Sequence, residues 1–160
     1  MTRYEKLLIE AEKEGIEILE INLGTNKKCG KCIDNTIIIN NNLSNVEKHE
    51  ILAEELGHYK TSIGNIIDQS KIKNRKQEFK ARRKGYKFIL EPLDLIYAFK
   101  FGCNNINEMA DFFEITLREL LNIIEDFRKQ YGIGKKFGKY YIRFEPNLGF
   151  SEIFDNEYIY

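Results

Sequence analysis

Two glutamates and a histidine in the segment "EELGH" (54–58) have the residue types and spacing of a metal-dependent hydrolytic site. An α-helix turns about 100° per residue, so residues four apart lie on one face, and Glu54 and His58 could bind the same metal ion. Glu55 takes the place of the general base in the metal-binding pattern H-E-x-x-H. The segment therefore predicts a metal site in which a carboxylate replaces the first histidine.

The chain's other histidine, His49, does not complete this site. It lies nine residues before His58, so on a straight helix the two side chains point in opposite directions. We therefore expect His49 and Glu50 to lie on the solvent side. A third ligand is still needed, because catalytic zinc usually takes three protein ligands. Glu78 is the candidate, since it is the only acid among nine basic residues between 71 and 87.

The predicted ligand set of Glu54, His58 and Glu78 offers one nitrogen and two carboxylates. It predicts zinc, with Mn²⁺ or Fe²⁺ as alternatives, because carboxylates favour harder ions than imidazole does. The simpler alternative is an ordinary helix. In that case Glu54 and Glu55 form a solvated edge, and the helix dipole stabilises His58 near the C-terminus.

The residues around this segment predict the elements that position it. The run "TIIIN" (36–40) is β-branched and predicts a buried strand, paired as a hairpin with the preceding "KCI". Ser44 and Glu47 form a capping-box signal for a helix from about 45 to 59. A second helix over 71–90 carries Glu78, which we expect to be buried within an otherwise solvated basic face.

The rest of the chain is predicted to be mostly helical. A helix over 2–14 comes first, with an extended or irregular connection at 16–23. Three more helices follow: the first begins at Pro92 and the other two lie within 106–127. A terminal hairpin is predicted at 133–146. The segment 106–127 has the form of a helix-turn-helix. Its second helix is acidic for a DNA-reading helix, which favours packing or partner docking.

Composition gives few constraints on partners. The chain has 160 residues and 25 residues of each charge sign, so no net field directs it to nucleic acid or membrane. Three cysteines without a secretion signal favour reduced thiols and a cytoplasmic location. The C-x-x-C spacing of Cys29 and Cys32 is interpreted as two small residues in a hairpin arm, because no second pair exists.

The segment "NTIIINNNLSNVEKHEILAEELGHYKTS" (35–62) resembles the ImmA/IrrE family of metallo-endopeptidases. In that family an I-x-I-N strand leads into a helix that ends A-H-E-L-G-H. The later segment "NRKQEFKARR" (74–83) looks like the family's third-ligand segment. The resemblance implies that Glu54, His58 and Glu78 bind the metal and that Glu55 is catalytic. The departure from the family's pattern is Glu54, which stands where a histidine is expected.

The resemblance implies an α+β fold with a zincin-like metallopeptidase core, consisting of a small sheet and an active-site helix. We expect this core at 1–91, with a helical, helix-turn-helix-like region and a terminal β-hairpin at 92–160 packed on it. Family members cleave helix-turn-helix repressors, and the EELGH version is similar to the branch found in prophages and mobile elements. The implied function is a metal-dependent endopeptidase that cleaves such a repressor to relieve repression.

Two alternatives remain open at this stage. One is a non-catalytic antirepressor that keeps the fold and binds the repressor without cleaving it. The other is a DNA-binding regulator that uses 106–127 and the basic helix, although direct DNA binding is disfavoured by the acidic second helix. A membrane partner is not expected, because no apolar run is long enough to span a bilayer.

Overall fold

The computed structural model describes residues 1–24, 30–61 and 71–153, and for residues 71–74 it describes the backbone alone. Two small sheets and a set of helices make up this part of the chain, which confirms the α+β prediction. The elements in chain order are α1 (Arg3–Lys13), β1 (Glu17–Ile21), β2 (Gly30–Ile33), β3 (Thr36–Asn40), α2 (Asn45–Thr61), α3 (Lys71–Lys87), α4 (Pro92–Phe101), α5 (Ile106–Phe113), α6 (Leu117–Tyr131), β4 (Gly134–Phe137), β5 (Tyr140–Arg143) and β6 (Gly149–Glu152).

The first sheet has β3 at its centre. The predicted hairpin is confirmed, because β2 pairs with β3 in antiparallel register from Gly30↔Ile39 to Ile33↔Thr36. On the other side of β3, β1 pairs with it in parallel. The segment 16–23, predicted to be extended or irregular, therefore contains a regular strand. Ile37 and Ile39 of β3 are fully buried, as alternate residues on the core face of a strand should be.

Helix α2 follows this sheet and carries the candidate site residues. It begins as the sequence predicts: the Ser44 hydroxyl accepts from the Glu47 amide, and the Glu47 carboxylate accepts from the Ser44 amide. Its apolar face is closed off from water, with Leu52 and Leu56 at most 2 % exposed. Burial of each such leucine stabilises the fold by about 1.5–3 kcal/mol.

Helices α2 and α3 approach each other closely through two glycines. A Cβ on Gly57 would lie 2.3 Å from the Ala81 carbonyl oxygen, and a Cβ on Gly85 would lie 2.9 Å from the Ala53 carbonyl oxygen. Both values are below any ordinary contact, so only glycine permits this separation of the two backbones. The small residue before His58 therefore sets how near α3 comes to the candidate site.

The C-terminal part consists of α4 to α6 and the second sheet. Pro92 begins α4 as predicted, and the α5–α6 pair has the expected helix-turn-helix form with Thr116 as N-cap of α6. The β4–β5 hairpin is confirmed, with β6 pairing beside β5. Buried residues of both halves of the chain form one hydrophobic cluster. The boundary between 91 and 92 stays a prediction.

No helix within the described residues is both long and apolar enough to cross a membrane.

Candidate active site

The site lies where the C-terminal half of α2 faces α3. The His58 Nε2 and Glu78 Oε2 atoms are 3.6 Å apart, across the close glycine contact of the two helices. The Glu78 side chain is 62 % exposed and that of His58 is 27 % exposed. The expectation that Glu78 is buried was therefore wrong. It lies at the open edge of the helix pair, which leaves its carboxylate accessible from solvent.

The spacing of these two groups suits a shared ion. At 3.6 Å the nitrogen and oxygen are too far apart for a good direct hydrogen bond. Two ligand atoms bound to one tetrahedral Zn²⁺ at about 2.0–2.1 Å lie roughly 3.3 Å from each other. His58 and Glu78 therefore need only a small adjustment to hold one divalent cation between them.

Glu55 lies beside this pair and is half-buried. Burial raises the pKa of the Glu55 carboxyl; the His58 ring opposes this rise, and the Glu54 and Glu78 carboxylates add to it. The side chain packs against β2, where a Cβ on Gly30 would lie 3.2 Å from the Glu55 Cγ. The strand can pass this close because residue 30 has no side chain. Glu55 is thus held between the sheet edge and the candidate ligands.

Glu54 is not part of the His58–Glu78 pair. Its side chain is exposed, and it lies on the side of α2 that faces Gly85 and Tyr86. Within the described residues, no group of three His, Cys, Asp or Glu side chains is arranged closely enough to hold a metal ion. The structure therefore brings His58 and Glu78 together, with Glu55 beside them, whereas Glu54 lies on the side of α2 next to Tyr86.

Comparison with known families agrees with the mixed α+β arrangement of sheets and helices. Residues 11–131 match the family described as the IrrE N-terminal-like domain, peptidase family M78. The chain belongs to the ImmA/IrrE family. Membership implies a divalent metal, usually zinc, and the matched region contains all four predicted site residues. No curated protein and no solved structure matches the chain.

His49 and Glu50 occupy a different position from the one predicted. Both are only 2 % exposed, so the solvent-side prediction was wrong. The Glu50 carboxylate accepts from the Thr116 amide, and His49 Nδ1 lies 3.0 Å from the Glu114 carbonyl oxygen. Successive residues of α2 therefore attach this helix of the ImmA/IrrE domain to the turn between α5 and α6.

The partner of His49 fixes its protonation. A carbonyl oxygen only accepts hydrogen bonds, so Nδ1 must carry the proton in this contact. Burial lowers the pKa of His49, with the nearby Arg3 contributing in the same direction and the Glu114 and Glu50 contacts opposing. A neutral ring with a protonated Nδ1 is a structural donor. The sequence does indicate that His49 is buried, because His49, Leu52 and Leu56 have the spacing of one helical face.

The interpretation of Cys29 and Cys32 as small residues of a hairpin arm can be compared with the structure at Cys32 alone. Cys32 lies on β2 as a free thiol, whereas Cys29 falls outside the described residues. Burial raises the pKa of Cys32, and the Glu55 and Asp34 carboxylates raise it further. A thiol that resists deprotonation is a poor metal ligand and a poor nucleophile. Cys32 is therefore a neutral thiol of the hairpin arm, in agreement with the sequence interpretation.

A cavity of about 400 Å³ lies behind Glu54, between α3 and α6. Phe79 and Tyr86 of α3 line it, and Phe79 is 41 % exposed. Arg118 and Asn122 of α6 line the opposite wall. These are the two side chains that a DNA-reading helix would direct into a groove. Here they face α3, which favours a packing or binding role for this helix.

Proposed function

We propose that this member of the ImmA/IrrE family is a metal-dependent endopeptidase that cleaves a helix-turn-helix repressor of a prophage or mobile element and thereby relieves repression. The proposal rests chiefly on one observation. His58 and Glu78, from two helices, present a nitrogen and an oxygen 3.6 Å apart beside the half-buried Glu55. The free thiols of Cys32 and Cys103 agree with a cytoplasmic location.

His58 and Glu78 would hold the metal, with Glu54 as the third ligand after rotation of its exposed side chain. Zinc fits one imidazole and two carboxylates, and Mn²⁺ or Fe²⁺ are alternatives because the set is rich in oxygen. When bound, such an ion supplies a Lewis acid that polarises the scissile carbonyl and lowers the pKa of water.

Glu55 would act as general base. Its carboxylate takes a proton from the attacking water and passes it to the leaving amine nitrogen, so that one group serves both half-reactions. Its side chain lies between β2 and His58, so close to the strand that a Cβ on Gly30 would be 3.2 Å from the Glu55 Cγ. A general base held in one position loses less entropy on reaching the transition state.

Strand β2 offers a place for the substrate chain. The sheet order is β1-β3-β2, so β2 has no strand on its outer side within the described residues. An extended peptide can pair with such an edge through its own backbone groups. Because Glu55 adjoins Gly30 of this strand, a peptide bound there would pass next to the general base.

The first test is the metal content of the purified protein, measured by elemental mass spectrometry. We expect near-stoichiometric metal, and its loss in His58→Ala, Glu78→Ala and Glu54→Ala. Glu12→Ala, which removes an exposed acid from α1, is the matched control and should keep the metal. Failure to bind zinc or manganese after reconstitution would refute the ligand set.

The second test is cleavage of a helix-turn-helix repressor encoded beside the protein, followed by gel and mass spectrometry. We expect a single cut that Glu55→Gln abolishes while metal content stays unchanged. Formation of a stable complex without any cut by the metal-loaded protein would instead favour the second candidate, a non-catalytic antirepressor.

A further inference from the structure

The carboxylate at position 54 is a more demanding ligand than the histidine that the family's pattern has there. A glutamate side chain has more rotatable bonds than a histidine, so holding it on a metal ion costs more conformational entropy. The Glu54 side chain is exposed, and within the described residues no hydrogen bond or ion pair fixes it. A neighbouring group that orients this carboxylate would therefore raise the metal affinity of the site.

Tyr86 of α3 lies beside Glu54. The backbones of α2 and α3 are in contact here, because a Cβ on Gly85 would lie 3.3 Å from the Glu54 Cα and 2.9 Å from the Ala53 carbonyl oxygen. Tyr86 is the next residue, and it lines the same cavity of about 400 Å³ as Glu54. A helical side chain tilts toward the N-terminus of its helix, so we expect the Tyr86 ring to extend toward the end of α3 that carries Glu78.

The Tyr86 hydroxyl is available as a hydrogen-bond donor. The residue is half-buried, yet its hydroxyl forms no hydrogen bond within the part of the chain that the structure describes. Burial raises the pKa of Tyr86 to about 12. Charged groups around the hydroxyl also act on this pKa; in decreasing order of effect they are Glu119, Arg82, Asp126 and Glu54. The hydroxyl therefore keeps its proton at neutral pH, and Glu54 is one of the charges close to it.

The two other carboxylates near this hydroxyl already have partners. Asp126 accepts from the Arg83 guanidinium and from Gln130. Glu119 lies on α6, across the cavity from α3, and it also interacts with another group. Glu54 differs from both, because it has no such partner among the described residues and must change its orientation to bind a metal ion. It is therefore the carboxylate that gains most from the hydroxyl as a donor.

We propose that Tyr86 is a positioning residue for the metal site: its hydroxyl donates a hydrogen bond to one oxygen of the Glu54 carboxylate and leaves the other oxygen for the metal ion. The proposal rests on the metal-dependent function proposed above. Carboxylates that bind metal are commonly held by hydrogen bonds from neighbouring residues, and loss of such a partner lowers metal affinity about 10- to 100-fold. The hydroxyl thus offsets part of the entropic cost of glutamate at position 54.

The test measures zinc affinity and does not depend on turnover. The full-length protein competes for zinc with a fluorescent chelator. Tyr86→Phe removes only the hydroxyl and should weaken zinc binding by about tenfold. Tyr97→Phe removes a hydroxyl from the exposed face of α4 and should leave the zinc affinity unchanged.

Two further measurements separate positioning of Glu54 from a structural role. In a Glu54→His background, Tyr86→Phe should weaken zinc binding by at most about threefold, because a neutral imidazole offers the hydroxyl no charged acceptor. The urea midpoint of the metal-free Tyr86→Phe protein should equal that of the parent, because the hydroxyl has no hydrogen bond to lose within the described residues. Glu119→Gln removes the other nearby carboxylate and should leave the zinc affinity unchanged.

The outcomes distinguish this proposal from the peptidase proposal. Equal zinc affinity of Tyr86→Phe and Tyr97→Phe would overturn the positioning role even if the protein cleaves its repressor. An equal loss from Tyr86→Phe with glutamate or histidine at position 54, or the same loss in Glu119→Gln, would overturn it as well, since the hydroxyl would then act on another group. A parent protein that binds no zinc would refute the ligand set and this proposal together. The expected losses in a protein that cleaves nothing would support the positioning role and count against the enzyme.

Discussion

The close contact of α2 and α3 at Gly57 should be the most sensitive backbone position of the site. A Cβ there would lie 2.3 Å from the Ala81 carbonyl oxygen and 2.6 Å from the Gly85 amide nitrogen. Both are backbone atoms, so no side chain can rotate away, and the helices must separate by roughly 1 Å to reach ordinary contact. Such overpacking costs about 1–3 kcal/mol or more, against about 1 kcal/mol that alanine gains over glycine in a helix.

Gly85→Ala provides the matched comparison. Its Cβ would lie 2.9 Å from the Ala53 carbonyl oxygen, so the required movement is roughly half as large. Both glycines lie inside helices, so replacement by alanine gains about the same helix propensity at each position. The difference in the free energy of unfolding between the two variants therefore reports the steric clash. We expect Gly57→Ala to lower the free energy of unfolding by about 2 kcal/mol and Gly85→Ala to stay within about 1 kcal/mol of the parent.

Urea unfolding followed by circular dichroism measures both variants, with metal content as a second readout. Separation of the helices should also move Glu78 away from His58, so Gly57→Ala should lose metal that Gly85→Ala retains. A Gly57→Ala protein at least as stable as Gly85→Ala would refute the reasoning. It would mean that the two backbones are not in the close contact on which the site geometry depends.

Three further predictions concern stability. Burial lowers the pKa of His49 from 6.5, so as the pH drops the unfolded chain takes up a proton before the folded protein does. The free energy of unfolding should therefore fall as the pH drops below about 6.5. Urea unfolding curves at two pH values should show a smaller fall for His49→Gln than for the parent. Arg83→Met leaves the buried Asp126 carboxylate without its guanidinium partner. The free energy of unfolding, measured in urea, should fall by about 1–3 kcal/mol, a range that allows for solvent screening at the half-exposed arginine. An unchanged free energy of unfolding would contradict this. Leu52→Ala should cost about 2–5 kcal/mol, whereas Leu93→Ala, on an exposed face, should cost under about 1 kcal/mol in thermal unfolding, and equal losses would argue against the core assigned here.

Local signals in the sequence predicted the elements that they control. The capping box of Ser44 and Glu47 begins α2, and the β-branched run 36–40 forms the central strand. Each signal acts through neighbours within a few residues, so no knowledge of the tertiary fold is needed. The pairing of β1 with β3 has no such signal. It joins residues about twenty positions apart, and β1 is too exposed to show alternation.

The predictions that were wrong concern polar residues, whose burial depends on their position on the helix and on partners distant in the sequence. His49 shares a helical face with Leu52 and Leu56, and its burial follows from that face once a distant carbonyl satisfies its Nδ1. Glu78 was expected to be buried because it is the only acid in a basic helix, yet a carboxylate facing an exposed rim needs no burial. The contact with Glu114 is formed by residues 65 positions apart, so the chain alone cannot reveal it.

The two halves of α2 have different roles, and this difference determines how the site variants should be interpreted. Its first half holds the helix in the fold through His49 and Glu50, both buried and bonded to the α5–α6 turn. The residues proposed to bind metal through carboxylates, Glu54 and Glu78, are exposed, and no hydrogen bond fixes either of them among the described residues. Replacing an exposed residue without such bonds changes stability by about 0.5 kcal/mol or less. Loss of metal in Glu54→Ala or Glu78→Ala would therefore report the loss of a ligand and not the loss of the fold.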